Sequence, residues 1–134
     1  EPGGIAVLDA LARAARVLLP LTVQRGTLLE WAVYGGSDTL VAGPLGLRQP
    51  ADDSARGDLA DAEVVLVPAV AMGLDGSRLG HGAGYYDRAL AGWPAERLVG
   101  VVHDDEVALA LPAGPHDVRI GWLCTPTRLQ RLGE

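Results

Sequence analysis

The sequence predicts an α/β fold: a single-domain, layered α/β/α structure with a mostly parallel central sheet. Short apolar runs rich in β-branched residues alternate with segments of helical spacing along the chain, as they do in βαβ units. The length of 134 residues suits one hydrophobic core. We therefore predict one domain over residues 1–134.

The first half of the chain contains one predicted helix and two predicted strands. Apolar residues within 5–15 recur at spacings of three and four, which predicts a short helix with one apolar stripe. Residues 16–19 are mostly apolar and end at a proline, and 27–34 mixes apolar with polar residues, so both predict strands. Glycines and prolines in 41–50 predict a connector, and the acidic stretch 52–61 predicts a solvated loop.

The second half begins with the strongest strand signal. Residues 64–71 are a continuous, β-branched apolar run, typical of a strand that is buried on both faces, and we expect this strand to be central in the sheet. A long loop with five glycines follows over 73–84, and the pattern then predicts a helix over 85–90.

The remaining residues continue the alternation. Strands are predicted over 98–102 and 120–124, and short helices over 103–111 and 127–132. We expect the last helix to pack on the edge of the sheet.

Composition excludes several classes of function. All 11 basic residues are arginine, so a phosphate loop that depends on lysine is absent from the sequence. A net charge of -6 and a pI near 4.9 argue against a nucleic-acid partner. The lone cysteine, Cys124, excludes an internal disulfide and a cysteine-built zinc site. With no apolar run of about 20 residues, we expect a soluble, cytoplasmic monomer that has no membrane partner.

The start of the sequence, Glu1-Pro2-Gly3-Gly4, lacks a methionine and runs at once into the first helical pattern. We therefore expect the chain to be part of a longer protein.

The segment from Arg78 to Arg88, R-L-G-H-G-A-G-Y-Y-D-R, carries the chemistry. Its alternating glycines leave backbone amides uncovered ahead of a predicted helix, which suits a phosphate group. Arginines at both ends offer forked donors to phosphate oxygens. Asp87 offers the hard oxygen that magnesium prefers, and the tyrosine pair offers ring faces and hydroxyls to an adenine or pterin ring.

Each of these features also has a purely structural interpretation. A glycine-rich turn between strand and helix needs no ligand, and His81 is then an exposed loop side chain without a role. Similarly, His103 with the acidic residues 104–106 resembles a metal cluster, but acidic residues also favour the start of a helix.

The same string resembles the R-L-G-x-G-G-G-[YF]-Y-D-R signature of the 5-formyltetrahydrofolate cyclo-ligases, also called methenyltetrahydrofolate synthetases. Weaker similarities lie elsewhere in the chain: 65–72 resembles the family's V-P-G-[LV]-A-F strand, 46–50 its G-I-x-E-P, 115–117 its H-D, and 1–3 its E-P-x-T. The resemblance covers nearly the whole chain, and only the glycine loop is highly specific.

The resemblance implies a ligase that converts 5-formyltetrahydrofolate to 5,10-methenyltetrahydrofolate, with ATP as co-substrate, Mg²⁺ as cofactor, and ADP and phosphate as products. It assigns catalytic roles to Arg78 and His81, and the metal to Asp87 and Asp117. The implied ATP-binding residues are Arg78, Leu79, Gly80, His81, Gly82, Ala83, Gly84, Tyr85 and Tyr86. The implied folate-binding residues are Glu1, His81, Gly82, Ala83, Gly84 and Tyr85.

Some features depart from the family pattern. Ala83 stands where glycine or lysine is usual, and its methyl group restricts a positive φ. The lysine and arginine residues that the family carries on an N-terminal helix have no match, so we expect the chain to lack that helical segment. These departures keep open an alternative, a non-catalytic relative of the same fold that binds nucleotide or folate. A sugar-phosphate isomerase or CoA-transferase type of enzyme rests on fold analogy alone.

Overall fold

The computed structural model of the chain describes residues 2–21, 29–43, 47–82 and 84–133. These residues group into two compact units: an N-terminal unit between residues 3 and 62, and a C-terminal unit of residues 63–133 with Pro2. The predicted single domain stays a prediction. No helix in the described ranges has the length and apolar content needed to cross a membrane.

The N-terminal unit begins with the predicted helix and the first two strands. Helix α1 is Gly4–Ala14, strand β1 is Leu18–Leu21 and strand β2 is Glu30–Val33. Strands β1 and β2 pair antiparallel, and β1 runs through Pro20 instead of ending there, which is possible because β1 is an edge strand. A hydrogen bond of 2.7 Å from the Tyr34 hydroxyl to Asp9 ties helix α1 to the end of β2.

The connector predicted over 41–50 is wrong. Strand β3, Leu40–Ala42, and strand β4, Arg48–Pro50, pair antiparallel in that segment, and Pro50 is buried at the end of its strand. The prolines and glycines argued against strands, yet cross-strand pairing accommodates a proline at a strand end. The stretch 52–61 is mostly turn, as predicted, with a short strand β5, Arg56–Gly57, that pairs with β2.

The C-terminal unit contains the remaining elements. They are β6 Val65–Pro68, β7 Ala71–Gly73, β8 Arg78–Leu79, helix α2 Tyr85–Ala89, β9 Leu98–Val101, β10 Val107–Ala108, β11 Trp122–Thr125 and β12 Arg128–Arg131. Four strands form a sheet in the order β12-β11-β9-β6, in which β6, β9 and β11 are parallel and β12 is antiparallel. The predicted α/β class with a mostly parallel sheet is thus confirmed.

The prediction that 64–71 is one central strand is wrong. The segment divides into β6 and β7, and β6 lies at the end of the four-stranded sheet. Val65 and Val67 are buried, whereas the side chains of Val64 and Leu66 are 54% and 46% exposed. Alternate side chains of a strand point to opposite faces, so only one face of β6 is covered, and an unbroken apolar run conceals this.

The two short helices predicted near the C-terminus are also wrong. In place of a helix over 103–111, a 3₁₀ helix of three residues, Asp104–Glu106, leads into β10, which pairs parallel with β7. In place of a helix over 127–132, β12 folds back on β11 in a four-residue antiparallel register. Both segments are short, so pairing with an existing strand outweighs their weak helical spacing.

A second small sheet, in the order β10-β7-β8, positions the region of interest. Strand β7 follows shortly after the carboxyl end of β6 and returns through a tight turn to β8. The chain then passes through the glycine-rich segment into α2, which confirms the helix predicted over 85–90.

Candidate active site

The glycine loop, residues 80–84, joins β8 to α2. Gly82 and Gly84 have φ angles of 97° and 72°, in the left-handed region that other residues rarely adopt. Within the described part of the chain, the amides of Gly80, His81 and Gly82 donate no hydrogen bond to another protein group. Backbone N–H groups presented in this way can bind an anion.

Arg78 lies at the first end of the glycine loop and is held in place. Its Nε donates a hydrogen bond of 2.8 Å to the Pro68 carbonyl, and its guanidinium lies 5.4 Å from the centre of the Tyr86 ring. A Cβ atom added at Gly80 would be 3.0 Å from Arg78 Nη1, so the cation lies against the loop backbone. Burial lowers the pKa of Arg78, whereas the negative charge of Asp87 acts in the opposite direction.

Arg88 lies at the other end of the glycine loop. Its guanidinium is 5.3 Å from the centre of the Tyr85 ring, and a Cβ atom added at Gly84 would be 2.9 Å from its Nη1 atom. Each arginine therefore stacks on one tyrosine and approaches one glycine. The two cations bracket the loop, as the sequence predicted.

Asp87 and Asp117 approach the same short stretch of backbone. Asp87 Oδ1 accepts a hydrogen bond of 3.1 Å from the amide of Val118, the residue next to Asp117. Asp117 Oδ2 accepts one of 2.7 Å from the Gly114 amide. Both carboxylates also influence the pKa of Arg78. Each keeps one oxygen atom that makes no hydrogen bond or ion pair with the residues described.

The other predicted site residues lie outside the described ranges or at the surface. Glu1 and Ala83 lie outside the described residues, while His81 is exposed and Leu79 is 46% exposed. The acidic residues after His103 serve local structure: Glu106 accepts a 2.7 Å hydrogen bond from the His103 amide, and Asp104 accepts from the hydroxyls of Thr125 and Thr127. Among the residues described, no three His, Cys, Asp or Glu side chains cluster closely enough to hold a metal.

Two residues beside the site were not among those predicted from the sequence. Asp75 and Ser77, in the turn between β7 and β8, form hydrogen bonds with each other and with neighbouring segments. The pattern Asp-Gly-Ser is typical of a turn in which the aspartate accepts from an amide two residues later. The Asp-Gly-Ser pattern could have predicted this turn, but the whole of 73–84 was predicted as one loop.

A shallow cavity of about 330 Å³ adjoins Asp117. Its walls are the turn after α2, including Trp93, and the stretch 115–119. The Arg97 guanidinium lies 4.7 Å from the centre of the Trp93 ring.

The parallel sheet, the open glycine loop and its two arginines define an α/β protein in which a turn between a strand and a helix presents amides and cations suited to an anion. Residues 1–126 match the model of the 5-formyltetrahydrofolate cyclo-ligase family. The chain belongs to this family, which confirms the resemblance drawn from the loop sequence.

Individual relatives agree with the family match. The chain is 43% identical to a 5-formyltetrahydrofolate cyclo-ligase of Mycolicibacterium smegmatis, over 96% of this chain and 69% of the relative. It is 32% identical to the Escherichia coli enzyme of that name, over 92% and 70% of the two chains. The solved 5,10-methenyltetrahydrofolate synthetase of Aquifex aeolicus superposes with a TM-score of 0.76 at 27% identity, over 96% of this chain and 64% of that one. The chain thus spans about two thirds of the length of these relatives.

Proposed function

We propose that this protein catalyses the ATP-dependent cyclisation of 5-formyltetrahydrofolate to 5,10-methenyltetrahydrofolate, with release of ADP and phosphate. The observation that carries the proposal is the glycine loop, in which amides that have no partner among the described residues lie beside the fixed cation Arg78. The names of the most similar relatives point to the same reaction.

In this reaction the γ-phosphoryl group passes to the formyl oxygen, the neighbouring folate nitrogen attacks the activated carbon, and phosphate leaves as the ring closes. A protein nucleophile is unnecessary, so catalysis consists of positioning and charge neutralisation. The loop amides and Arg78 neutralise the charge on the phosphoryl oxygens. Arg88 adds a second cation at the far end of the loop.

We further propose that the outer face of the loop contacts the folate. The exposed His81 would make a catalytic contact with the folate, and the Tyr85 ring would pack against it. Gly82 and Gly84 have no side chains, so the folate can approach the loop backbone closely. Glu1 and Ala83 keep their assignment to the folate site as predictions.

Magnesium fits the pair Asp87 and Asp117. Magnesium usually binds one or two carboxylates and takes its other ligands from water and substrate phosphates. Each carboxylate has one oxygen fixed by an amide and one available, which matches that requirement. When bound, the ion would neutralise charge on the phosphates of ATP.

The proposed activity is tested by incubating the protein with 5-formyltetrahydrofolate, ATP and Mg²⁺ and following the absorbance band of the methenyl product. We expect the band to grow with enzyme and to stay flat without ATP. A flat trace with all components present contradicts the proposal. Calorimetric binding of ATP or folate without turnover would support the non-catalytic alternative instead.

The metal assignment is tested by Asp87→Asn. Losing one anionic ligand should lower turnover roughly 10- to 100-fold and raise the magnesium concentration needed for half-maximal rate. Asp53→Asn, at an exposed turn of the N-terminal unit, is the control. Equal magnesium dependence in the two variants would remove Asp87 from the metal site.

A cytoplasmic, monomeric enzyme is the remaining part of the proposal. The free cysteine Cys124 is consistent with a reducing compartment. Size-exclusion chromatography with light scattering measures the mass in solution, and a dimer would contradict the monomer.

A further inference from the structure

The β7–β8 turn, residues 74–77, is closed by its own side chains. The Gly73 amide donates to the Ser77 carbonyl at 2.8 Å, and Asp75 Oδ1 accepts from the Ser77 amide at 3.0 Å and from the Ser77 hydroxyl. Ser77 is 1% exposed, and its hydroxyl oxygen accepts a 2.9 Å hydrogen bond from the Leu111 amide. One face of the turn is therefore fixed to the segment after β10.

The turn is also fixed to residues 119 and 120. The Ile120 amide donates to the Gly76 carbonyl at 3.0 Å, and Arg119 Nη1 donates to the Asp75 carbonyl at 3.0 Å. Arg119 Nη1 also lies 3.6 Å from Asp75 Oδ2. The hydrogen bonds from Ser77 lower the pKa of Asp75, so its carboxylate is charged at neutral pH.

These two attachments lie next to the two halves of the proposed site. Ser77 directly precedes Arg78, the cation beside the glycine loop. Arg119 directly follows Val118, whose amide donates to Asp87. The turn therefore connects the arginine half of the site with the carboxylate half, and Asp75 is the residue that contacts both attachments.

We propose that Asp75 is a positioning residue that fixes Arg78 relative to the Asp117–Val118 backbone, through Ser77 on one side and Arg119 on the other. Asp75 touches no reacting atom. The inference rests on the proposed function, because in that function the arginine half and the carboxylate half of the site act on the same ATP phosphates. A small misplacement of such groups lowers the rate of phosphoryl transfer strongly, because the reaction depends on their alignment with the phosphates.

Three variants separate the parts of this connection. Asp75→Ala removes the side-chain contacts to both Ser77 and Arg119 and keeps the hydrogen bond from Arg119 to the carbonyl of residue 75. Asp75→Asn keeps an acceptor for Ser77 but loses the charge that faces Arg119. Arg119→Gln removes the partner on the other side, and its exposed position leaves the core packing untouched. Asp58→Asn is the matched control, because Asp58 also accepts from an amide two residues later at 3.0 Å.

We expect Asp75→Ala to raise the KM for ATP about 10-fold, and Asp75→Asn and Arg119→Gln about 3-fold, with the KM for folate changed less than about 2-fold. The Asp58→Asn control should match the wild type. A loss of stability alone would lower the active fraction, and hence kcat, without this selective change in KM. Equal KM values for ATP in the folded Asp75 and Arg119 variants and the control would overturn the inference.

Hydrogen exchange measured by NMR without substrate gives a second test, which does not depend on turnover. In Asp75→Ala and Arg119→Gln, the Val118 amide should exchange roughly 10-fold faster while the amides of β11 keep their rates. If only the Leu111 amide responds, Asp75 acts locally and the inference fails. If the exchange rates change as expected but the wild-type protein shows no turnover, the proposed reaction is wrong and the positioning role of Asp75 stands.

Discussion

Two consecutive bends of the C-terminal unit differ in how far their backbone groups are hydrogen-bonded to other protein groups. The β7–β8 turn satisfies its polar groups with protein partners: Asp75 accepts from Ser77 within the turn, and the Gly76 carbonyl accepts from the Ile120 amide. The glycine loop, only a few residues later, leaves the amides of Gly80 and Gly82 without a partner among the described residues.

The difference follows from side-chain chemistry. Aspartate and serine can bond their own backbone and so close a turn. Alternating glycines provide no such acceptors, and the nearest charged groups, the two arginines, are donors like the amides themselves. A bend in which donors face donors is completed by an anion. The closed turn holds the structure, and the open loop suits the anionic ligand proposed above.

Removal of the cation beside the open loop should have the largest effect. Arg78→Ala should lower kcat/KM at least about 100-fold, because a fixed positive charge at the transferring phosphoryl group is lost. Steady-state kinetics with both substrates measures the effect.

Arg97→Ala is a closely matched control. Arg97 Nε also donates to a backbone carbonyl, that of Glu63 at 2.9 Å, and its guanidinium also lies over an aromatic ring. Both variants lose an arginine that packs in the same manner. Comparable losses of activity in the two variants would mean that Arg78 acts only by packing.

A side chain inside the open loop gives the next largest effect. Gly82 has φ of 97° and open space where a Cβ atom would be added, so Gly82→Ala strains the backbone without a clash. We expect ATP to bind about 10-fold more weakly, since the strained loop presents its amides less well. Isothermal calorimetry measures the affinity.

Gly92→Ala provides the comparison for backbone strain, because Gly92 has φ of 82° and equally open surroundings outside the loop. It should cost similar stability and leave ATP affinity unchanged. Equal ATP affinity in the two variants would show that the loop backbone does not hold the nucleotide.

The smallest effect is expected at the closed turn. The pKa of Asp75 is lowered by its hydrogen bonds to Ser77, so the stability it contributes is complete above the ordinary aspartate pKa of about 3.9. That contribution disappears as the pH falls through the lower pKa of the folded state. Urea midpoints between about pH 5 and pH 2 should therefore fall less in Asp75→Asn than in the wild type. Parallel curves would mean that the charge does not stabilise the turn.

The sequence predicted the glycine loop, helix α2 and the bracketing arginines because these features are contiguous. The bracketing depends on residues ten apart that flank one turn, and local spacing is enough to place them. The approach of Asp87 to the Val118 amide joins residues 31 apart, and no sequence pattern encodes that contact. Here the family resemblance, and not periodicity, paired Asp87 with Asp117.

The errors in the predicted fold have a common physical origin. Strand β12 and the segment leading to β10 are short pieces whose own spacing is ambiguous, and pairing with distant strands decides their conformation. Strand β6 appeared central because it is apolar throughout, although Leu66 faces outward. Sequence hydrophobicity measures how apolar a segment is, whereas its place in a sheet depends on neighbours elsewhere in the chain.

The hydrogen bond from Arg78 to Pro68 has one further consequence, for the solubility of the protein. Strand β6 is an edge strand, and an exposed apolar edge is a template on which another chain can add and begin to aggregate. Pro68 has no N–H to offer an incoming strand, and its carbonyl is already bonded to Arg78. At this end of β6, the arginine proposed to bind ATP therefore occupies a backbone acceptor that an added strand would need.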